Sequence, residues 1–561
     1  MILQPINDLV SLCHRKGINN AILSPGSRCA PITLAFTRHQ DFHCRTISDE
    51  RSAAFIALGM AQQIDKPIVL VCTSGSATYN YSPAVAEAFF QQVPLIVITA
   101  DRPPEWIDQW DGQTIRQTNI FGQHVKGSFQ FPDEFGHPDK VWHANRLANE
   151  AINLAMQFPQ GPVHINIPLR EPFYPEFDEK FRFSEDVRSI EVLEGDKSLS
   201  REKKIQLSAS LDKFKRIMIV PGQQKPNPNI QSLLDKIIAA GKALVVADSI
   251  SNMQSEHSVV FHDHFISHLD SDPSTTPDLI ISFGKSIISK SLKLYLRNSK
   301  ANHWHIQPNG YTPDTFQNLA KTILCDPKTF LEFFLEKDNS STASFIETWK
   351  NFDRKISEIL PSILQEAKFG EYKAMAECLK VVPEYSKLHV ANSMAVRYLN
   401  FLGKRTQEVI CNRGTSGIDG SNSTAVGCTF TTKDPVTLIT GDMAFFYDRN
   451  AFWHNYQMNN LRIILLNNHA GGIFRLINGP SSQPELEEFF ETNQRLSAGN
   501  LAKDFGFEYH IASDERSLEM GLKNFFQKSN HPKIIEIQTA SPKNAVTLKW
   551  VKEEISKSLK A

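Results

Sequence analysis

Short apolar and β-branched runs recur along the first third of the chain, and stretches of helical length separate them. They occupy residues 21–23, 68–72, 95–99 and 163–167. Strands that are apolar on both faces and joined by helical crossovers are typical of a parallel sheet that helices cover on both sides. The pattern therefore predicts a doubly wound α/β domain over residues 1–183.

The same alternation of short apolar runs and stretches of helical length appears twice more. Residues 172–204 contain prolines followed by charged residues, which is the composition of a surface linker. The next runs lie at residues 217–220, 243–247, 279–283 and 303–307, and a third series lies at 409–411, 436–440, 463–466 and 534–537. A polar stretch at 337–342 and a long helical pattern from 345 to about 368 separate the two series. The patterns predict a central α/β domain over 205–340 and a C-terminal one over 370–561.

Length and composition agree with this organisation. A chain of 561 residues is too long for one hydrophobic core, so we expect three α/β domains with doubly wound parallel sheets. The residues are 41% hydrophobic and 22% charged, with a net charge of −1, as in an ordinary globular protein. Because no positive field would attract a polyanion, no nucleic-acid partner is expected.

The cysteines and the apolar segments bear on where the protein acts. The eight cysteines are scattered and form no C-x-x-C pair, which favours reduced thiols in a cytoplasmic protein. No segment approaches about 18 uninterrupted apolar residues, so no integral membrane segment is expected. The first residues lack the basic and apolar regions of an export signal. A cytoplasmic location is therefore expected.

One motif indicates a metal and a diphosphate. Gly441 and Asp442 end one predicted strand, a helical pattern follows from 448 to 457, and Asn467 and Asn468 end the next strand. Adjacent parallel strands bring these residues to the same sheet edge, where ligand sites form. Carboxylate and amide oxygens suit a small hard cation such as Mg²⁺ that also binds phosphate. A turn aspartate with two loop asparagines in any α/β sheet is the alternative.

A second feature is Glu50, which precedes the alanine-rich helical stretch 53–61. An acidic residue at a helix start complements the helix dipole and needs no further function. The residues alone favour this interpretation.

Together the two features resemble the thiamine-diphosphate-dependent enzyme family. The resemblance implies that Asp442, Asn468 and the carbonyl of Ala470 ligate Mg²⁺ (or Mn²⁺), and that Glu50 is the catalytic acid–base group at the aminopyrimidine ring. The implied cofactor-binding residues are Glu50, Ser416, Gly417, Ile418, Gly441, Asp442, Met443, Ala444 and Asn468. Met443 stands where the wider family often has glycine. The resemblance also implies a homo-oligomer, either dimer or tetramer, with active sites between subunits.

Other runs resemble the branch of this family that acts in menaquinone biosynthesis. They are Ser24–Arg28, Thr73–Ala77, Thr99–Glu105, Asn412–Gly420 and Gly471–Phe474. The resemblance implies decarboxylation of 2-oxoglutarate and addition of the remaining four-carbon unit to isochorismate. These substrates carry four carboxylates in all, for which guanidinium groups are well shaped. The implied substrate-binding residues are Ser27, Arg28, Arg102, Gln113, Lys290, Ser393, Arg397, Arg413, Ile473 and Phe474.

The sequence departs from that branch at one position. Ser291 follows Lys290 where some members carry an arginine, so one acceptor-binding guanidinium is missing. Two other functions stay open. One is another thiamine-diphosphate carboligase or decarboxylase, such as an acetohydroxyacid synthase acting on pyruvate. The other is a non-catalytic α/β scaffold, which would have no physical need for Glu50, Asp442 and Asn468 together.

Overall fold

The computed structural model describes residues 3–176, 179–195, 197–269 and 272–560. The first domain contains a six-stranded sheet in the order β2-β1-β3-β4-β6-β5, with all pairs parallel. Its strands are β1 (Asn20–Leu23), β2 (His43–Thr46), β3 (Ile68–Cys72), β4 (Leu95–Asp101), β5 (Ser128–Gln130) and β6 (Val163–Pro168). Its helices are α1 (Gln4–Arg15), α2 (Ala30–Arg38), α3 (Glu50–Ile64), α4 (Ser76–Asn80), α5 (Ser82–Gln91) and α6 (Pro138–Met156).

The central domain has a five-stranded parallel sheet in the order β11-β10-β9-β7-β8. Its strands are β7 (Ile217–Pro221), β8 (Leu244–Val245), β9 (Leu279–Phe283), β10 (Asn302–Gln307) and β11 (Leu319–Leu324). Its helices are α7 (Arg201–Leu211), α8 (Pro228–Ala239), α9 (His262–Phe265), α10 (Lys290–Asn298) and α11 (Pro327–Glu336). The long helix α12 (Ala343–Glu366) leads to the last domain and confirms the helical pattern predicted from residue 345.

The C-terminal domain has a six-stranded parallel sheet in the order β13-β12-β14-β15-β17-β16. Its strands are β12 (Lys387–Val390), β13 (Glu408–Ile410), β14 (Val436–Gly441), β15 (Leu461–Asn467), β16 (Glu508–Ala512) and β17 (Lys533–Gln538). Its helices are α13 (Glu371–Val381), α14 (Met394–Phe401), α15 (Ser421–Thr429), α16 (Asp442–Tyr447), α17 (Gly499–Asp504), α18 (Glu515–Leu522) and α19 (Ser541–Lys560). Three parallel α/β sheets confirm the predicted fold class, while the domain boundaries stay predictions.

One predicted helix is wrong in its position. The pattern after Asp442 predicted a helix over residues 448–457, but α16 begins at Asp442 itself and ends at Tyr447. A single 3₁₀ turn, Arg449–Phe452, follows it. The helix stops where Asp448 turns its buried carboxylate toward Ser423, accepting hydrogen bonds from the backbone N–H and the hydroxyl of that residue, both at 2.7 Å. The metal-motif aspartate is therefore the first residue of a helix.

The first and last domains share a hydrophobic core. Helices α3 and α15 cross there at very short range, since a Cβ added to Gly59 would lie 2.0 Å from the Thr424 carbonyl oxygen. A Cβ on Gly427 would meet the Ile56 carbonyl at the same distance. Buried side chains from both sheets join this cluster around the helix pair. Within the described residues, no helix has the length and apolar character needed to cross a membrane.

Candidate active site

The predicted C-terminal site residues lie at the carboxyl ends of four neighbouring strands. The segments 412–418, 391–393, 442–444 and 468–470 follow β13, β12, β14 and β15, which is the order of those strands across the sheet. The chain reverses its direction of winding between β12 and β14. A reversal of this kind opens a crevice at the carboxyl edge, where α/β proteins bind ligands.

Asp442 and Asn468 are brought together as the motif predicted. Gly441 pairs with Leu466 in the parallel ladder, so the side chains of Asp442 and Asn468 lie at the same end of neighbouring strands. Asp442 is buried and its Oδ2 accepts a hydrogen bond from Gln494 Nε2 at 2.7 Å. Asn468 Oδ1 accepts the backbone N–H of Ala470 at 2.9 Å. Burial raises the pKa of Asp442 to about 6.

A second buried carboxylate stands beside this pair. Glu371, the first residue of α13, accepts a hydrogen bond from Asn468 Nδ2 at 2.7 Å. Burial raises the pKa of Glu371 to about 7, and the charge of Asp442 adds to the rise against the lowering effect of the Asn468 hydrogen bond. Two neighbouring carboxylates removed from water repel each other unless a cation offsets them.

The residues present fit a divalent cation that carries a diphosphate. The donor set of carboxylate, amide oxygen and backbone carbonyl is the hard-oxygen kind that Mg²⁺ or Mn²⁺ accepts. A Cβ added to Gly441 would meet no described atom within 4 Å, so open space lies above this strand end. Packing alone does not require glycine there, and a ligand can approach the backbone.

The loop 412–418 wraps around one side chain. Asn392 Nδ2 donates to the carbonyl of Asn412 at 2.6 Å and to that of Gly417 at 2.7 Å. Its Oδ1 accepts Arg413 Nη1 at 2.9 Å. The loop is thereby closed around Asn392, while Ser416 and Ile418 remain exposed.

Two predicted arginines and one unpredicted lysine form a cluster of cations. Burial lowers the pKa of Arg397, and the charge of Arg413 lowers it further. Burial also lowers the pKa of Lys293, as do the charges of Arg413 and Arg397. The buried Nε of Arg413 has no hydrogen-bond partner among the described residues. Like charges held together with an unpartnered donor suit an anionic ligand.

Backbone strain accompanies the predicted residues. Ser393 has φ of 70°, Ser416 of 61°, His469 of 63° and Gln113 of 57°. Side-chain-bearing residues rarely occupy this left-handed region, and such strain concentrates at ligand sites. Ser393 directly precedes α14 and its carbonyl accepts Arg397 Nη1 at 2.6 Å. Ser393 and Arg397 were predicted to share one helix face. In the structure they meet at the helix start, through the backbone carbonyl of Ser393.

The apolar wall predicted at 473–474 lies on a 3₁₀ turn, Gly472–Leu476. The Phe474 ring lies 6.0 Å from that of Phe490, measured between centroids. The next residue, Arg475, pairs with the fully buried Glu491, whose carbonyl also accepts the Gly471 N–H at 2.7 Å. These contacts fix the turn, and the side chains of Ile473 and Phe474 on it are half-buried.

The N-terminal domain has its own cluster at the carboxyl edge. Arg28 is buried, donates through Nη1 to the Leu169 carbonyl at 2.7 Å and lies over the Phe173 ring. Burial lowers the pKa of Arg28 and the charge of Arg102 lowers it further. Arg102 pairs with Asp111 at 3.0 Å and keeps an unpartnered buried Nε among the described residues. Ser27 and Gln113 are exposed on the same edge.

Glu50 is the first residue of α3, which follows β2. The helix start is fixed by Asp49, whose side chain accepts the Ser52 N–H at 3.1 Å and Asn450 Nδ2 at 2.7 Å. Arg51 donates to the Tyr447 carbonyl at 2.8 Å. Both neighbours of Glu50 are therefore tied to the C-terminal domain of the same chain, near the end of α16.

Comparison with known proteins identifies the family. Residues 6–122 match the N-terminal TPP-binding domain of thiamine pyrophosphate enzymes, and residues 391–537 match the C-terminal TPP-binding domain. A curated relative from Cytophaga hutchinsonii is 46% identical over 99% of this chain and 100% of its own length. The chain belongs to the thiamine pyrophosphate enzyme family.

Further relatives have the same name as the first one. Proteins from Flavobacterium johnsoniae and Christiangramia forsetii are 38% and 37% identical, over 98% and 95% of this chain and of their own lengths. All three are named 2-succinyl-5-enolpyruvyl-6-hydroxy-3-cyclohexene-1-carboxylate synthase. Thiamine pyrophosphate enzymes of this kind match the chain from end to end, so the likeness includes the central domain, which lies outside both family domains.

The thiamine pyrophosphate enzyme motifs did not reveal every residue at the site. Glu371, Asn392 and Gln494 each contact a predicted residue, yet no motif includes them as contacts. Lys290 begins α10 and is exposed, whereas Lys293, one turn later, lies beside Arg413. A helical spacing of three residues places Lys290 and Lys293 on the same side of α10, which is the signal that could have suggested Lys293.

Proposed function

We propose that the chain joins 2-oxoglutarate to isochorismate with loss of CO₂, giving 2-succinyl-5-enolpyruvyl-6-hydroxy-3-cyclohexene-1-carboxylate. The observation that carries the proposal is full-length similarity, at 46% identity, to a relative named for synthesis of that product. The arginines at both sheet edges support it, because the two substrates carry four carboxylates and guanidinium groups bind carboxylates in a bidentate manner.

The cofactor is held at the edge of the C-terminal sheet. Asp442, Asn468 and the Ala470 carbonyl are the ligands of Mg²⁺ or Mn²⁺, supported by their hard oxygen donors and by the neighbouring buried charge of Glu371. The remaining cofactor contacts come from Ser416, Gly417, Ile418, Gly441, Met443 and Ala444. Thiamine diphosphate, when bound, supplies the electron sink for decarboxylation. Ile418 offers an exposed apolar surface on which the cofactor rests.

Glu50 is the catalytic acid–base residue. Its carboxyl holds a proton at the aminopyrimidine ring and takes it back, a task that needs a fixed helix start. Asp49 and Arg51 provide that fixation through their contacts with Asn450 and Tyr447. This role stays a proposal that mutation of Glu50 tests.

Substrate carboxylates are bound by cations from three domains. The binding residues are Ser27, Arg28, Arg102, Gln113, Lys290, Ser393, Arg397 and Arg413, with Ile473 and Phe474 as the apolar wall. Besides burial, the charge of Arg102 lowers the pKa of Arg28 and the charge of Arg413 lowers that of Arg397, which supports two anion-binding places. Distal carboxylates held in this way orient both substrates for bond formation.

We also propose at least a homodimer with active sites between subunits. Large apolar side chains are exposed on the N-terminal domain, as expected of a surface that a partner covers. They are Tyr79, Phe90, Trp106 and Trp110. Light scattering of the purified protein tests this, and an active monomer would contradict it.

The activity test uses purified protein with Mg²⁺, thiamine diphosphate and 2-oxoglutarate, with and without isochorismate, followed by mass spectrometry. We expect an adduct that forms only when both substrates are present. A pyruvate condensation product without that adduct would favour an acetohydroxyacid synthase. Absence of turnover with either donor would favour a non-catalytic scaffold.

A further inference from the structure

A fully buried carboxylate in the N-terminal domain accepts hydrogen bonds from the loop 412–418 of the C-terminal domain. Glu87 lies on α5 and is 1% exposed. Its Oε1 accepts the Gly414 N–H at 2.8 Å and Gln91 Nε2 at 2.8 Å. Its Oε2 accepts the Thr415 N–H at 2.6 Å and the Thr415 hydroxyl at 2.7 Å. Each oxygen thus accepts two donors, which is the full capacity of a carboxylate.

The contact extends to the backbone of α5. A Cβ added to Gly414 would lie 2.6 Å from the Glu87 carbonyl oxygen, so only glycine permits this approach. Gln91, one turn after Glu87, donates to the Cys411 carbonyl at 2.9 Å, and Gln223 of the central domain donates to the same carbonyl at 2.7 Å. The start of the loop is therefore held by two other domains.

The loop 412–418 contains residues of the proposed site. Arg413 and Ser416 flank the two residues that Glu87 holds, and Gly417 follows them. Asn392 holds the loop on its other side through Asn412 and Gly417. Glu87 and Asn392 both form hydrogen bonds to the loop rather than to strand partners.

We propose that Glu87 is a positioning residue that fixes the loop 412–418, and with it Arg413 and the cofactor-facing residues 416–418, from the neighbouring domain. The functional consequence rests on the proposed function of that loop. The anchoring itself does not, and it has a readout that is independent of turnover.

The isosteric change Glu87→Gln is a sharp test of this anchor. An amide presents one oxygen and one NH₂ group, so whichever way it faces, the NH₂ meets two donors. At least one of the loop N–H groups of Gly414 and Thr415 loses its acceptor. Glu87→Ala removes the acceptors of both N–H groups. We expect hydrogen–deuterium exchange in a peptide spanning 412–418 to quicken about tenfold in Glu87→Gln and more in Glu87→Ala.

A matched control is available in the central domain. Asp278 also accepts two backbone N–H groups, those of Lys215 at 3.0 Å and Arg216 at 2.8 Å, and contacts none of the proposed site residues. Asp278→Asn should leave exchange at 412–418 and the kinetic constants unchanged. A quickening at 412–418 in this control as well would mean global loosening and would overturn the positioning role.

Kinetics give the second readout. Since the loop carries binding residues, Glu87→Gln should raise the apparent dissociation constant of thiamine diphosphate and the substrate KM about tenfold, with kcat at saturation within about threefold of the parent enzyme. Glu87→Asp, which keeps the carboxylate, should recover part of the loss. If the parent enzyme forms no adduct, the proposed function fails, while the exchange measurement still decides the anchor.

Thr415→Val covers the case in which the Glu87 variants do not fold. It removes one donor from the loop side and leaves α5 intact, so exchange should quicken at 412–418 by a smaller factor. Unchanged exchange in the loop for Thr415→Val and for every folded Glu87 variant would overturn the proposal.

Discussion

The first and last domains have the same sheet topology but different chemistry after their third and fourth strands. Numbered within each domain, the strands of both sheets follow the order 2-1-3-4-6-5. The third strand is followed by Thr73 and Ser74 in the first domain and by Asp442 in the last. The fourth strand leads to Arg102 in the first and to Asn468 in the last. The shared topology places both edges at a switch point, and the residues after the strands decide what each edge binds.

The difference shows why fold alone does not assign function. The N-terminal edge gathers guanidinium groups, and burial together with the charge of Arg102 lowers the pKa of Arg28. The C-terminal edge gathers the buried carboxylates Asp442 and Glu371 beside its third and fourth strands, while Arg397 and Arg413 lie beside its first two. One edge therefore suits the carboxylates of substrates, while the metal-facing pocket of the other suits a cation.

The largest effect should come from Glu50 on the N-terminal edge. Glu50→Gln removes the proton-holding carboxyl, so turnover should fall by about 10²–10⁴ while thiamine diphosphate still binds. Steady-state rates and cofactor titration by tryptophan fluorescence measure the two effects. The same substitution at Glu150, which forms a surface pair with Arg146, is the control and should change neither. Wild-type turnover in Glu50→Gln with saturating cofactor would show that this assignment is wrong.

The corresponding change on the C-terminal edge should act on binding instead. Asp442→Asn removes the anionic ligand, so the metal-dependent affinity for thiamine diphosphate should fall by about 100-fold. Calorimetric titration at several Mg²⁺ concentrations measures it, with the exposed Asp504→Asn as control. If Asp442→Asn bound the cofactor with unchanged metal dependence, the two edges would not differ in the way described.

A smaller effect is expected at Arg102. Arg102→Lys keeps the charge but loses the forked geometry, so the KM of one dicarboxylate substrate should rise about tenfold with the midpoint of thermal unfolding unchanged. Arg116→Lys, in the same segment and paired with Asp108 at the surface, is the matched control. Equal KM values in the two variants would remove Arg102 from the substrate-binding residues.

The smallest effect concerns a property that the two sheets share. Burial lowers the pKa of His164 on β6 and of His389 on β12 to about 3. Both rings are neutral in the folded state, whereas the unfolded chain takes up protons near pH 6.5. Stability is thus complete above pH 6.5 and is lost as pH falls toward the folded-state pKa, by about 1 kcal/mol per pH unit for each ring.

Urea unfolding at pH 7.5, 6.5 and 5.5 measures this loss. His164→Gln and His389→Gln should each make the pH dependence below 6.5 shallower by a similar amount. A shallower pH dependence in only one of the two variants would show that the sheets do not share this loss of stability at low pH. An exposed histidine, His257, serves as the control for the substitution itself.

Strands in the sheet interior were largely predictable, whereas four of the six edge strands were not. Ile68–Cys72 and Leu279–Phe283 are buried at every position and match the predicted runs from end to end. Strands β2, β5, β11 and β16 were not predicted, and all four lie at sheet edges with partly exposed residues. An edge strand is not covered on both faces, so its sequence lacks the continuous apolar run. The interior strand β12 was also not predicted, because Lys387 and His389 interrupt its apolar run.

The sequence by itself determined the fold class, the family and the pairing of Asp442 with Asn468, because these depend on local patterns and on spacing across one crossover. Only the tertiary structure decided which side chains support them. Glu371 meets Asn468 and Glu87 meets Thr415 across long separations in the chain. No periodicity in the sequence encodes such contacts, since they arise where separately folded layers pack against each other and buried polar groups must find partners.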